Sequence, residues 1–161
     1  MLGMTAYTFI HVVISLVAIG SGLIVLLGLL TARRFAGWTA LFLLMTVATC
    51  LTGFGFPFTQ LLPSHIVGII TLAACALAVV ALYMRHLTGA WRWLYVIGAV
   101  IALYLNVFVL IFQAFLKVPA LNALAPTQTE GPFKTTQLVA LVLFAILGLV
   151  AAFKFRPGPG R

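Results

Sequence analysis

One acidic side chain, Glu130, is all that 161 residues contain. Glycoside hydrolysis of the common kind needs two carboxylates flanking the scissile bond. Metal-dependent hydrolysis needs clustered ligands. A nucleophile–base–acid triad would have to take Glu130 as its orienting acid. Ion- and proton-coupled carriers ordinarily hold a carboxylate inside the membrane, and Glu130 lies outside every apolar run. Hydrolytic enzymology is therefore not expected.

Cysteine is nearly as scarce. Cys50 and Cys75 both fall within apolar runs, too far apart in sequence for a zinc motif and too few for a disulfide framework. They read as small buried hydrophobes and leave the redox compartment open. Charge of either sign is thin: 6% of residues are charged, against about 25% in a typical globular chain. Hydrophobic residues reach 65%, against roughly 45–50%. So few polar side chains cannot cover a water-facing surface, whereas acyl chains accept an apolar exterior at no cost.

The basic residues that account for the +8 charge do not form the continuous face or stripe of a nucleic-acid site. Arg33, Arg34, Arg85, Arg92, Lys154, Arg156 and Arg161 lie between or after long apolar runs. That is the topology signal of a membrane protein, with some attraction to anionic lipid. Nucleic acid is not an expected partner; the lipid bilayer is.

Five stretches satisfy the need for about 20 mainly apolar residues to cross a core of about 30 Å. They are Tyr7–Leu30, Trp38–Phe56, Ser64–Met84, Trp93–Leu116 and Thr135–Phe153. The expected fold is all-α: a polytopic membrane protein, a five-transmembrane-helix bundle forming one domain over residues 1–156. The connections Thr31–Gly37, Pro57–Pro63 and Arg85–Arg92 are tight, which makes consecutive helices antiparallel neighbours. Lys117–Lys134 is a longer, proline-rich outer loop with room for a short interfacial helix around Ala120–Ala125. Pro157–Arg161 is expected to be a frayed tail.

The first and third connections and the tail hold seven of the nine basic residues. The positive-inside rule places those parts in the cytoplasm, with the N-terminus out and the C-terminus in, across a bacterial inner membrane. Trp38, Trp91 and Trp93 then fall at the cytoplasmic boundary, where indole rings favour the headgroup region. The first apolar run has no basic n-region and no small-residue cleavage site, so it is expected to remain as a mature helix.

Polar residues converge on one level. His11 lies about one turn, roughly 6 Å, inside the outer end of the first helix, with Ser15 on the same face. His65 opens the third helix at the same boundary. Gln113 lies about a turn before Lys117, and Asn106 shares its face. Thr46, Thr49, Cys50 and Gly53 form a stripe on the second helix. Polar groups in hydrocarbon are costly unless paired, so these should face one another, as a hydrogen-bonded seam between helices or as a pocket. The candidate site is His11, Ser15, Thr49, His65, Asn106 and Gln113.

Three functions follow from that cluster. The leading one is a non-enzymatic accessory subunit or binding bundle, with other membrane subunits or a second copy as partners. The second is a haem b electron-transfer protein with His11 and His65 as axial metal ligands. Ala18, Gly22, Gly68 and Cys75 would admit the porphyrin, and Lys117 and Lys134 would be the only outward partners for its propionates. His86, at the cytoplasmic end, cannot join them. The third is a small oligomeric channel or transporter lined by uncharged groups such as Asn106, Gln113 and Thr49. Small residues at packing intervals (Ala18 and Gly22, Thr49 and Gly53, Ala74 and Ala78, Gly98 and Ala102) serve close helix approach within the chain or between copies.

The run Phe9–Gly22, the turn Gly53–Phe58 with Leu62–His65, and Ala125-Pro126-Thr127-Gln128 resemble a family of small uncharacterised proteobacterial inner-membrane proteins. The resemblance covers nearly the whole chain. It implies a membrane location and brings no assigned activity. The histidine positions are also similar to those of small membrane haem b proteins, without a diagnostic motif, so no ligands carry over.

Overall fold

Residues 5–57, 59–60 and 63–156 are described by a computed structural model, and among them all regular structure is helical. The tail expected to fray, Pro157–Arg161, lies outside the described residues. Thr5 starts the first helix, α1 (Ala6–Leu30), by accepting the Thr8 amide on its hydroxyl, which satisfies one of the orphan N–H groups of the first turn. α2 covers Ala36–Phe54. α3 covers Pro63–Val79 and continues through a π-helical turn, Val80–Met84. α4 covers Trp91–Lys117, α5 is a single short helix at Pro119–Leu124, and α6 covers Gly131–Lys154. α6 begins ahead of the expected Thr135 because Pro132 suits the first turn, where its missing N–H is no loss.

Five of these helices, counting α3 with its π turn, are long and apolar enough to cross a membrane. The surface they present is compatible with that. Leu27, Leu44, Leu51, Leu138, Val139, Leu149 and Phe153 all point away from the bundle. Soluble monomers rarely expose contiguous apolar patches beyond a few hundred Å².

α4 is the most enclosed span and packs against α1, α3 and α6. α2 stands between α1 and α3, which make no substantial contact with each other. Small residues set the close approaches. A Cβ on Gly98 of α4 would lie 2.8 Å from the Ala74 carbonyl oxygen and 3.2 Å from the Ala78 amide of α3, so these backbones touch. A Cβ on Gly22 would lie 2.6 Å from Leu103 and 2.9 Å from Phe42, where α1, α2 and α4 meet. The Ala74/Ala78, Gly98/Ala102 and Ala18/Gly22 pairs are thus used inside the chain.

At the arginine end, α1 stops in a left-handed Ala32 (φ 55°), with the Arg33 amide donating back to the Gly28 carbonyl at 2.8 Å. This reversal, of the kind glycine usually makes, turns Arg33 and Arg34 outward. Arg92 serves the fold. Its guanidinium donates to the Ala152 carbonyl (3.2 Å) and to the Phe155 carbonyl, satisfying carbonyls that the end of α6 leaves unpaired. It also lies 4.8 Å over the Trp93 ring. Phe155, wholly buried against Tyr95, closes this end of the core.

Candidate functional site

The level of each polar side chain follows from where three helices meet. α1 runs antiparallel to α2 and α4, and Gly22 faces both Phe42 and Leu103. Moving from that point toward the start of α1, at about 1.5 Å per residue, Ala18 comes level with Thr46 and Asn106. Ser15 comes level with Thr49, and His11 with Thr52, Gly53 and Gln113. The contacts agree. Asn106 Nδ2 donates to Thr46 Oγ1 at 3.1 Å. His11 Nδ1 lies 2.7 Å from Thr52 Oγ1, and its Cε1 would be 3.7 Å from a Cβ on Gly53.

Several of the expected site residues are satisfied locally. Ser15 donates its hydroxyl to the His11 carbonyl (2.7 Å), and Thr49 donates to the Met45 carbonyl (2.8 Å). Such i−4 bonds are the ordinary way for a hydroxyl to lie in an apolar helix. Thr46 is fully buried and paired with Asn106, which makes that pair a dry clasp between α2 and α4.

Thr52, which the sequence reading did not single out, pairs with His11, and Tyr7 in turn bonds Thr52. Thr52 could have been found, because it continues the Thr46–Thr49 stripe. Its single hydroxyl proton goes to the Ala48 carbonyl at 2.7 Å, with the Thr49 carbonyl a weaker second acceptor at 3.2 Å. With that proton so committed, its oxygen accepts from His11 when the ring carries its proton on Nδ1. In a neutral imidazole that leaves Nε2 as a lone-pair acceptor. Tyr7 Oη donates to the Thr52 carbonyl at 2.6 Å. Phe56 packs edge-on against both His11 (5.2 Å) and Tyr7 (5.0 Å), fixing the plane of the imidazole.

Among the described residues Gln113 has no hydrogen-bond partner, and its Oε1 is enclosed, about level with His11 on α1. Gln137 of α6 also keeps an enclosed Oε1, but it donates to the Phe108 carbonyl (3.2 Å) and belongs to the α4–α6 interface.

His65 belongs to another interface. It is 6% exposed and stacks on Phe54 at 5.7 Å, on the α3 side of α2. Thr52 points toward His11 and Phe54 toward His65, so the last turn of α2 stands between the two imidazoles. Bis-histidine haem ligation needs a ring nitrogen on each face of one open slot, and these two rings contact different faces of α2. Among the described residues no group of three or more His, Cys, Asp or Glu could hold a metal ion.

Glu130 is engaged in its own loop. Its carboxylate accepts from the Thr127 hydroxyl (2.7 Å), the Thr127 amide (3.2 Å) and the Thr129 amide (3.0 Å). Bonding by the Thr127 hydroxyl, followed by the backbone amides, holds its pKa below the ordinary carboxylate value. At the opposite end of the bundle, Ala32, Arg33, Arg34 and Phe35 line a shallow depression of about 510 Å³. No protein-family model, characterised protein or solved structure matches the chain.

Proposed function

We propose that this is a non-enzymatic integral protein of a bacterial inner membrane that binds a small ligand in the outer half of its bundle, between α1, α2 and α4. The observation that carries the reading is the enclosed Oε1 of Gln113, which has no hydrogen-bond partner among the described residues and stands about level with His11. In hydrocarbon a polar group without a partner costs a few kcal/mol. The bracing of the His11 ring by Thr52 and Phe56 supports recognition at the same level.

The orientation belongs to the same proposal. With Arg33, Arg34, Arg85, Arg92, Lys154, Arg156 and Arg161 inside, the amino end and the His11–Gln113 level face outward. A cysteine placed at Thr5 is then labelled by an impermeant reagent from outside, and one at Arg34 only from inside. Labelling of both from one side refutes the orientation.

Binding is tested by purifying the wild-type protein and Gln113→Leu in mild detergent and comparing the small molecules extracted from each. A component that copurifies with the wild-type protein and is depleted in the variant supports the site. Identical extracts, with both proteins folded, remove it.

A further inference from the structure

We infer that the turn joining α1 to α2 binds the phosphate of an anionic phospholipid, with Arg33 and Arg34 as the residues that hold it. The inference stands apart from the ligand proposed for the outer half of the bundle.

The turn presents its two guanidiniums from a fixed backbone. Ala32 holds a left-handed conformation (φ 55°), the Arg33 amide donates to the Gly28 carbonyl at 2.8 Å, and the Thr31 hydroxyl donates to the Leu27 carbonyl at 2.8 Å. A Cβ on Gly28 would lie 2.8 Å from the Arg33 carbonyl oxygen and 3.0 Å from the Phe35 ring, so the turn folds tightly onto the end of α1. Arg33 and Arg34 are both exposed, and with Ala32 and Phe35 they line the depression of about 510 Å³. That volume falls within the range of small-molecule sites, about 300–1,000 Å³. Its lining divides by chemistry into two cations and the half-buried apolar side chains of Ala32 and Phe35.

No acidic side chain neutralises the pair. The single acid, Glu130, stands before α6, whose far end is the one capped by Arg92, and its carboxylate is taken up by Thr127 and Thr129. Among the described residues neither guanidinium of the turn has a hydrogen-bond partner. Two other arginines are engaged inside the chain: Arg92 with the Ala152 and Phe155 carbonyls, and Arg85 lying 5.0 Å over the Trp91 ring. Arg33 and Arg34 are left for an anion from outside.

Location selects that anion. α1 ends at Leu30 and α2 starts at Ala36, and both are long and apolar enough to span a bilayer, so the turn lies where a span meets the headgroups. Trp38, in the first turn of α2 and 46% exposed, suits that level. A phosphodiester there meets planar guanidiniums that can each bond two of its oxygens at once, while its glycerol and upper acyl carbons rest on Ala32 and Phe35. A zwitterionic headgroup would bring an ammonium beside two guanidiniums with no carboxylate to receive it. The lipid is therefore one whose headgroup carries a net negative charge.

The test places the full chain in neutral detergent micelles with a trace of phosphatidylglycerol that carries a fluorescent acceptor on one tail. Energy transfer from the tryptophans is followed as unlabelled phosphatidylglycerol, phosphatidylcholine or inorganic phosphate is added. Phosphatidylglycerol should displace the probe at a concentration about tenfold below that needed for phosphatidylcholine, and inorganic phosphate should not displace it over the same range. Arg33→Gln and Arg34→Gln should each weaken binding by about fivefold, and the two together by on the order of twenty-fivefold, the loss expected for one and two cations at a membrane surface. Arg85→Gln/Lys154→Gln removes the same charge elsewhere and should weaken binding by less than about threefold. The unfolding midpoint of each Arg33 or Arg34 variant in neutral detergent should match the wild type, and the single variants carry the test if the double variant does not fold.

Equal losses in the two double variants would reduce the site to a general attraction by the basic residues and overturn the inference. Displacement by phosphatidylcholine as readily as by phosphatidylglycerol overturns it as well. Displacement by inorganic phosphate as readily as by the anionic lipid makes a soluble anion the ligand, and the lipid assignment falls.

Discussion

Replacing Thr52 by valine keeps the shape of the side chain and removes the oxygen that accepts from His11 Nδ1–H. That oxygen lies 2.7 Å from Nδ1, and its own proton is given to the Ala48 carbonyl at 2.7 Å. A net hydrogen bond of this kind is worth about 1 kcal/mol, which corresponds to roughly a fivefold bias between the two neutral tautomers. In the wild-type protein, ¹⁵N NMR of the ring should show His11 protonated at Nδ1, with Nε2 giving the signal of an unprotonated ring nitrogen. The chain's three histidines are assigned by single replacement. In Thr52→Val the population should move toward the Nε2–H form by about that factor. A wild-type His11 already protonated at Nε2 would falsify the assignment of Thr52 as the acceptor of the Nδ1 proton.

Three further outcomes follow. Gly98→Val forces side-chain atoms into the Ala74 carbonyl and Ala78 amide of α3, already 2.8 Å and 3.2 Å from a single Cβ. Unfolding in mixed micelles should show a loss of about 1–3 kcal/mol; an unchanged midpoint would mean that α3 and α4 do not touch there. Glu130 is bound in its folded loop with its pKa lowered below the ordinary value of 4.5. Its contribution to loop order is therefore present above that ordinary value and lost as pH falls through the lower folded value. Hydrogen exchange at the Thr127 and Thr129 amides should stay slow at pH 5 and quicken on stronger acidification, and Glu130→Gln should abolish the dependence. Protein from haem-replete cells should show no Soret band, because α2 separates His11 from His65; a band lost in both His11→Ala and His65→Ala would restore the bis-histidine reading.

The candidate site was only partly legible in the sequence. The depths of His11, Asn106 and Gln113 could be counted from helix ends, because each residue advances a helix by a fixed rise. The grouping with His65 failed on direction. Two side chains at equal depth can face opposite ways, and the gap between α1 and α3 is filled by α2. Ser15 and Thr49 looked like site residues by type, yet each hydroxyl is satisfied by its own helix. Thr52 and Tyr7 became significant only once their partners were known.

Composition and hydropathy alone determined that the described residues form helices, five of them long and apolar enough to span a membrane. Spanning length is set by a bilayer thickness that does not depend on the protein, and in hydrocarbon a helix satisfies its own backbone. Which helices touch was decided in three dimensions, by backbone approach at Gly22 and Gly98. So was the chemistry of the site. A sequence shows that a histidine and a glutamine are present, but whether each offers a proton or a lone pair depends on the neighbour that took the other.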